Sequence, residues 1–323
     1  MAYQAGSASS TADFLSQLRG FLGTQGWTVH KWVAGIPQDT DTELYVSHGT
    51  VALGFVLNIG NVSSAPVRML SYAGTGYQGG ALVNPYPFYS SYSQWPRTGL
   101  NYKIWHWDNH GNTTKQFLAA CEIRSGLWAY LSAGILDLHY NCVSPSAGAY
   151  VGVNSLDIDN IPAITNPYQA GSSSQLLETS TSYASRYNTF AARLSSNTLS
   201  DSWFSHTQNN SVKLHGGCRE QNNFYHPLSS YQFRVTASNK VPMWPYSVFA
   251  AYDGTKSGSV VITFLAATIP NIRLLNMALY EVGQEVVEGG DTWVIMPVTL
   301  KTASGPTSLD VMKQYGFAIR KTI

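Results

Sequence analysis

The chain has 323 residues, with 19 Lys and Arg against 18 Asp and Glu; 11% are charged and the net charge is +1, where an ordinary soluble domain is about 25% charged. That balance excludes the basic stripe nucleic-acid binding needs, and 13% aromatics argue against disorder. No apolar run reaches the roughly 18 residues of a membrane helix, and no basic segment followed by an apolar one opens the chain, so no signal peptide is expected.

Ser10 is a helix N-cap, with Asp13 three residues on as a variant capping box. Phe14, Leu15, Leu18, Phe21 and Leu22 then form one apolar stripe of an amphipathic helix, stopped by Gly23 and Gly26. The stripe is expected to dock on the sheet that follows. Residues 2–9, small and ahead of the cap, are expected to form an arm reaching onto a neighbouring subunit.

From Gly26 the period changes to two. Residues 27–32 read as a strand, 43–57 as a hairpin turning at His48 and Gly49, and 67–72 as another strand. Residues 74–100 read as a long aromatic loop. Pro85, Pro87 and Pro96 argue against regular ladders, and no charge occurs from Leu82 to Pro96. Such a loop is expected to pack on its own core or on a neighbour.

Residues 102–107 and 114–123 flank a turn at 108–111 and predict a second hairpin. Residues 125–134 are small and apolar, and strand and helix both fit. Pro145, Pro162, Pro167 and a Gly171–Ser174 run mark 143–182 as a boundary or exposed excursion. Tyr183, Tyr187, Phe190 and Leu194 suggest a short helix over 182–199, and 200–247 reads as polar and irregular. Residues 260–265 are a strand, 282–287 and 292–300 a hairpin around 288–291, and 315–320 a closing strand.

The expected fold class is mainly β (α+β): antiparallel β-sheets or a β-sandwich, with one N-terminal amphipathic helix and long irregular loops. Residues 1–142 form a helix plus β domain, 143–250 an irregular insertion or second lobe, and 251–323 hairpins completing the β core.

Catalytic patterns are thin. His106, Asp108 and His110 alternate onto one face, as a metal site requires, but Asp108–Gly111 is also ordinary turn chemistry. Asp157 and Asp159 supply too few oxygens for calcium. His215, Cys218 and Glu220 invite a nucleophile reading, with only Arg219 to lower the thiol; the glycines between them more simply mark a turn. Cys121, Cys142 and Cys218 follow no zinc or disulfide spacing, and Cys121 sits in an apolar run as a small core residue. Neither a cofactor nor catalysis is expected.

A chain near zero charge resists association poorly, and interface cores favour Tyr, Trp and Phe over Lys, Glu and Asp. Tyr86, Phe88, Tyr89, Tyr92 and Trp95 are therefore candidate subunit-interface residues, with Tyr3 and Gln4 of the arm. The loop aromatics also suit stacking on sugars, or packing on their own core.

Several stretches resemble one family. Residues 1–10, the helix at 12–22 and Gly26-Trp27-Thr28 resemble the opening of virion structural proteins of tailed bacteriophages. Residues 105–111, 122–134 and 289–297 are similar to later parts of the same family. The tip at 108–111 is longer than the family's turn, and 143–250 has no counterpart. The resemblance implies a structural component of the tail, neck (collar) or baseplate, assembled in the host bacterial cytoplasm, and it carries no catalytic residue. Expected partners are further copies of the chain in a ring-like homo-oligomer and other tail, neck or baseplate proteins, without specific nucleic acid or membrane. The alternative is a carbohydrate-binding (receptor-binding) or glycan-degrading particle protein.

Overall fold

The computed structural model describes residues 1–35, 42–58, 67–88, 94–108, 115–139, 148–154, 190–194, 202–204, 212–216, 242–253, 261–277, 279–297 and 315–321. The helix spans Thr11–Thr24, and the Ser10 side chain accepts from the Asp13 N–H at 3.1 Å. Asp13 in turn accepts from the Ser9 N–H and hydroxyl at 2.7 and 2.9 Å, so the capping box closes one residue early. All five stripe residues are buried.

Among the described residues the strands form a mainly β, antiparallel fold with this single helix. A central sheet runs in the order Ala2–Ala8, Leu100–Asp108, Lys115–Arg124, Leu127–Ile135, Ala149–Asn154, Phe190–Leu194 and Ser202–Phe204. A second sheet runs Thr28–Val33, Thr42–His48, Val51–Asn58, Val67–Gly74, with Tyr86–Phe88 and Gln94–Trp95 both paired to the last. A third runs Val212–Gly216, Trp244–Asp253, Val261–Asn276, Tyr315–Arg320, Asp291–Pro297 and Glu285–Glu288, and Asp137–Leu138 joins its third strand.

The central sheet is covered on both faces. Strand alternation sends Leu100, Tyr102, Ile104, Phe117, Ala119, Cys121, Leu131 and Val151 to one side, into a cluster with the helix stripe and the second sheet's Leu44, Val46, Leu53 and Phe55. The intervening Trp105, Trp107, Leu118, Ala120, Trp128, Tyr130 and Tyr150 face the other way and pack with Ile272, Leu274, Met296, Phe317 and Ile319 of the third sheet.

Several polar groups in the covered sheet are hydrogen-bonded across layers, while the buried indole N–H groups of Trp105 and Trp128 have no partner among the described residues. Gln116 is wholly buried; its amide donates to the Tyr150 hydroxyl at 2.8 Å and the Pro270 carbonyl at 2.9 Å, and its oxygen accepts from Asn271 at 3.0 Å. Gly134 lies against it, since a Cβ there would sit 2.9 Å from the Gln116 Cβ. The Tyr130 hydroxyl donates to the Pro297 carbonyl, and the Trp107 indole N–H to the Arg320 carbonyl at 3.1 Å.

Four expectations change. Residues 2–8 are not an arm directed at a neighbour: all seven pair with Leu100–His106 of their own chain. Residues 74–100 are not one long loop. Gly76–Gln78 and Ala81–Val83 form a hairpin, and Tyr86–Phe88 and Gln94–Trp95 pair with Val67–Gly74. Pro87 is accommodated opposite Tyr72 because its strand lies at a sheet edge, where a missing N–H costs no ladder bond.

The 143–250 stretch is not simply irregular. Ala149–Asn154, Phe190–Leu194 and Ser202–Phe204 extend the central sheet, while Val212–Gly216 and Trp244–Asp253 belong to the third. Phe190–Leu194 is a strand rather than part of a helix: Phe190 and Leu194 fit period two as well as a helical spacing, and pairing with Ala149–Asn154 decides between them. The rest of the predicted 182–199 helix lies outside the described residues. Residues 125–134, left open by their sequence, lie largely in the strand Leu127–Ile135.

Phe117 and Leu118 are adjacent and fully buried on opposite faces. Phe117→Ala and Leu118→Ala are each expected to cost about 2–5 kcal/mol in urea unfolding. A near-neutral result for either would mean that its face is open.

Candidate functional site

One open feature is the N-terminal edge of the central sheet. The Ala2–Ala8 strand ends the strand order, so only its Leu100–Asp108 side carries a strand neighbour among the described residues. Gln4 and Gly6 face the helix side. The Gln4 amide donates to the Tyr102 hydroxyl at 2.8 Å, and that hydroxyl donates to the Gln17 side-chain oxygen. A Cβ on Gly6 would sit 2.7 Å from the Tyr102 hydroxyl oxygen, so a glycine lets this chain of bonds close under the strand.

Tyr3 lies on the opposite face, opposite Trp105 in register and with ring centroids 5.6 Å apart. It stays 41% exposed. The Lys321 ammonium lies 5.9 Å from its ring centre and also pairs with Glu285. Partial burial pushes the Tyr3 phenol up, Lys321 opposes this and Glu285 adds to it. Lys103 lies 6.0 Å from the Trp128 ring centre, and burial pulls its pKa down. At the other end of the strand Ser7, Ser9, Asp13, Asn101, Glu122 and Ser125 line an open groove of about 760 Å³.

The predicted interface residues do not form one surface. Tyr3 is exposed and Gln4 half-buried at the N-terminal edge. Trp95 is wholly buried among the residues between the central and second sheets, stacked on Phe14 at 6.2 Å and 8°, so it is a core residue rather than an interface one. Its burial is set by the helix packing over it, a contact 81 positions away that no local pattern announces. Tyr86 and Phe88 lie on the short edge strand of the second sheet. Tyr89 and Tyr92 lie outside the described residues.

Glu285 and Lys321, which act on Tyr3, and Lys103, opposite Ala5, were not anticipated. Period-two alternation places Lys103 on the face of Trp105, but nothing local brings 285 or 321 to residue 3.

Of the other candidates, His106 is 1% exposed, set edge-on to Phe21 at 6.5 Å, and neither ring nitrogen has a hydrogen-bond partner among the described residues. Burial lowers its pKa from 6.5 to about 4; Asp108 works against this, while Lys115, the N-terminal ammonium and His48 add to it. Asp108 is exposed and pairs with Lys115 at 3.3 Å. Cys121 is a free, fully buried thiol whose pKa burial raises well above normal, as a core residue should be. No three His, Cys, Asp or Glu converge as a metal group among the described residues. His110, Asp157, Asp159, Cys142, Cys218 and Glu220 lie outside them, and His215 is placed only as part of the Val212–Gly216 strand.

No protein-family model matches this chain, and no curated protein matches it.

Because His106 is neutral when folded but takes a proton once unfolded, the unfolded chain binds more protons between pH 6.5 and about 4. Stability is therefore full above pH 6.5 and falls as the pH drops towards about 4. Urea unfolding at pH about 7.5 and about 4 is expected to show a loss for the wild type that exceeds that of His106→Leu by roughly 2–3 kcal/mol.

Proposed function

We propose that this protein is a non-enzymatic structural component of a tailed-bacteriophage particle, assembling with copies of itself at the tail, neck or baseplate, in contact with other proteins there. The virion is put together in the host bacterial cytoplasm. The observation carrying this reading is where the family-like stretches lie. Scattered in sequence, they are contiguous in the fold. Residues 2–8 pair with the strand Leu100–Asp108, which holds the start of the 105–111 stretch. Residues 122–134 span parts of the next two strands of the same sheet. Residues 289–297 cover that sheet from the third layer, with Pro297 accepting the Tyr130 hydroxyl. The likeness thus falls on a frame of packed strands, which supports a structural role.

The sugar-binding alternative needs exposed Trp and Tyr lining a groove. Among the described residues Trp27, Trp95, Trp105, Trp107, Trp128 and Trp293 are buried, Trp32 and Trp244 are half-buried and Tyr3 is exposed; the burial of most tryptophans favours the structural reading.

Mass spectrometry of gradient-purified phage particles from the source lysate tests the proposal. The expected result is several copies of this protein per particle. Its absence from particles, with the protein found free in the medium, would overturn the reading.

A further inference from the structure

The described sheet edges differ in how they are guarded. Exposed edges invite pairing with another chain, and proteins blunt them with charges, prolines or very short strands. Thr28–Val33 carries Lys31, Val212–Gly216 carries Lys213, and Glu285–Glu288 has a glutamate at each end. Tyr86–Phe88 contains Pro87, Gln94–Trp95 has two residues, and Ser202–Phe204 has three. Ala2–Ala8 has none of these devices: it is seven residues long, uncharged and free of proline. Ala5, Gly6 and Ser7 are all exposed, and their small side chains leave the backbone approachable.

We propose that this edge is where two copies of the chain join, their Ala2–Ala8 strands pairing antiparallel about a two-fold axis so that the two central sheets become one. The proposal rests on the homo-oligomer reading above and names its contact. A two-fold axis at Ala5 sets Ala5 opposite Ala5 of the second copy, Gln4 opposite Gly6 and Tyr3 opposite Ser7.

No charges meet in this arrangement, and the net charge of +1 adds little repulsion. The same operation on Glu285–Glu288 sets glutamate against glutamate, a destabilising cross-strand pair. In the single chain the Ser7 carbonyl is taken by the exposed Gln17 amide at 3.1 Å; the incoming strand replaces that side chain with a backbone N–H. The half-exposed Tyr3 ring then covers Ser7 of the second copy. Such a joint is isologous, so a ring needs a second, different contact.

The test is sedimentation equilibrium on the full chain with paired charge variants. Ala5→Lys and Ala5→Glu each set like charges face to face and are expected to weaken the dimer at least tenfold. Mixed in equal amounts, they are expected to dimerise again, which a folding defect does not allow. Val287→Lys, on the guarded edge, is expected to leave the dimer unchanged. A wild-type oligomer equally strong in A5K and A5E would overturn this joint and leave the homo-oligomer reading standing. A wild-type monomer at every concentration would overturn the joint and leave the edge to a strand of a different protein, while particle composition still reports separately on the structural role.

Discussion

A sheet buried on both faces constrains everything else in this chain. Once Leu100–Asp108, Lys115–Arg124 and Leu127–Ile135 are covered on one side by the helix and second sheet and on the other by the third sheet, successive side chains have no water to turn to. Apart from the exposed Asn101 and Asp108, most are apolar, small or hydrogen-bonded within the protein, and His106, which is none of these, is held neutral instead. That is why no charge occurs from Ser125 to Leu136, and why Gln116 has a built set of partners across the gap. Much of the low charge of the whole sequence is absorbed here, in surface that the chain covers itself.

The same constraint decides what was legible in the sequence. Elements with one wet face carried a clear period. The helix shows its stripe and its cap, and the strand Thr42–His48 alternates cleanly up to the turn at Gly49, whose φ is 58°. The hairpin at Asp291–Pro297 and the closing strand at Tyr315–Arg320 are buried on both faces, and were legible instead from their β-branched and aromatic residues and the Gly289-Gly290 turn. Residues 125–134 were ambiguous because burial on both faces erases alternation, leaving an apolar run that fits helix or strand. Prolines made 74–100 look like loop, since sequence does not say that Pro87 sits on an edge.

The candidate site was legible only in part. The N-terminal residues stood out as small and uncharged, yet their strand partner lies about a hundred positions on. Trp95 looked like a contact residue because aromatic content alone does not separate an interface from a core. The position of Phe14 above it settles that it is core. The charges at Tyr3 arrive from residues 285 and 321 through the packing of two sheets. Among the described residues the structure points to a narrower feature than composition suggested: one neutral strand at the end of a sheet whose middle strands are covered on both faces.

Native-state hydrogen exchange tests the doubly covered sheet most directly. The account predicts that amides of Lys115–Arg124 and Leu127–Ile135 exchange last in the molecule, with protection equally high at residues facing either neighbouring layer. Fast exchange in these strands, at rates like those of Glu285–Glu288, would contradict it.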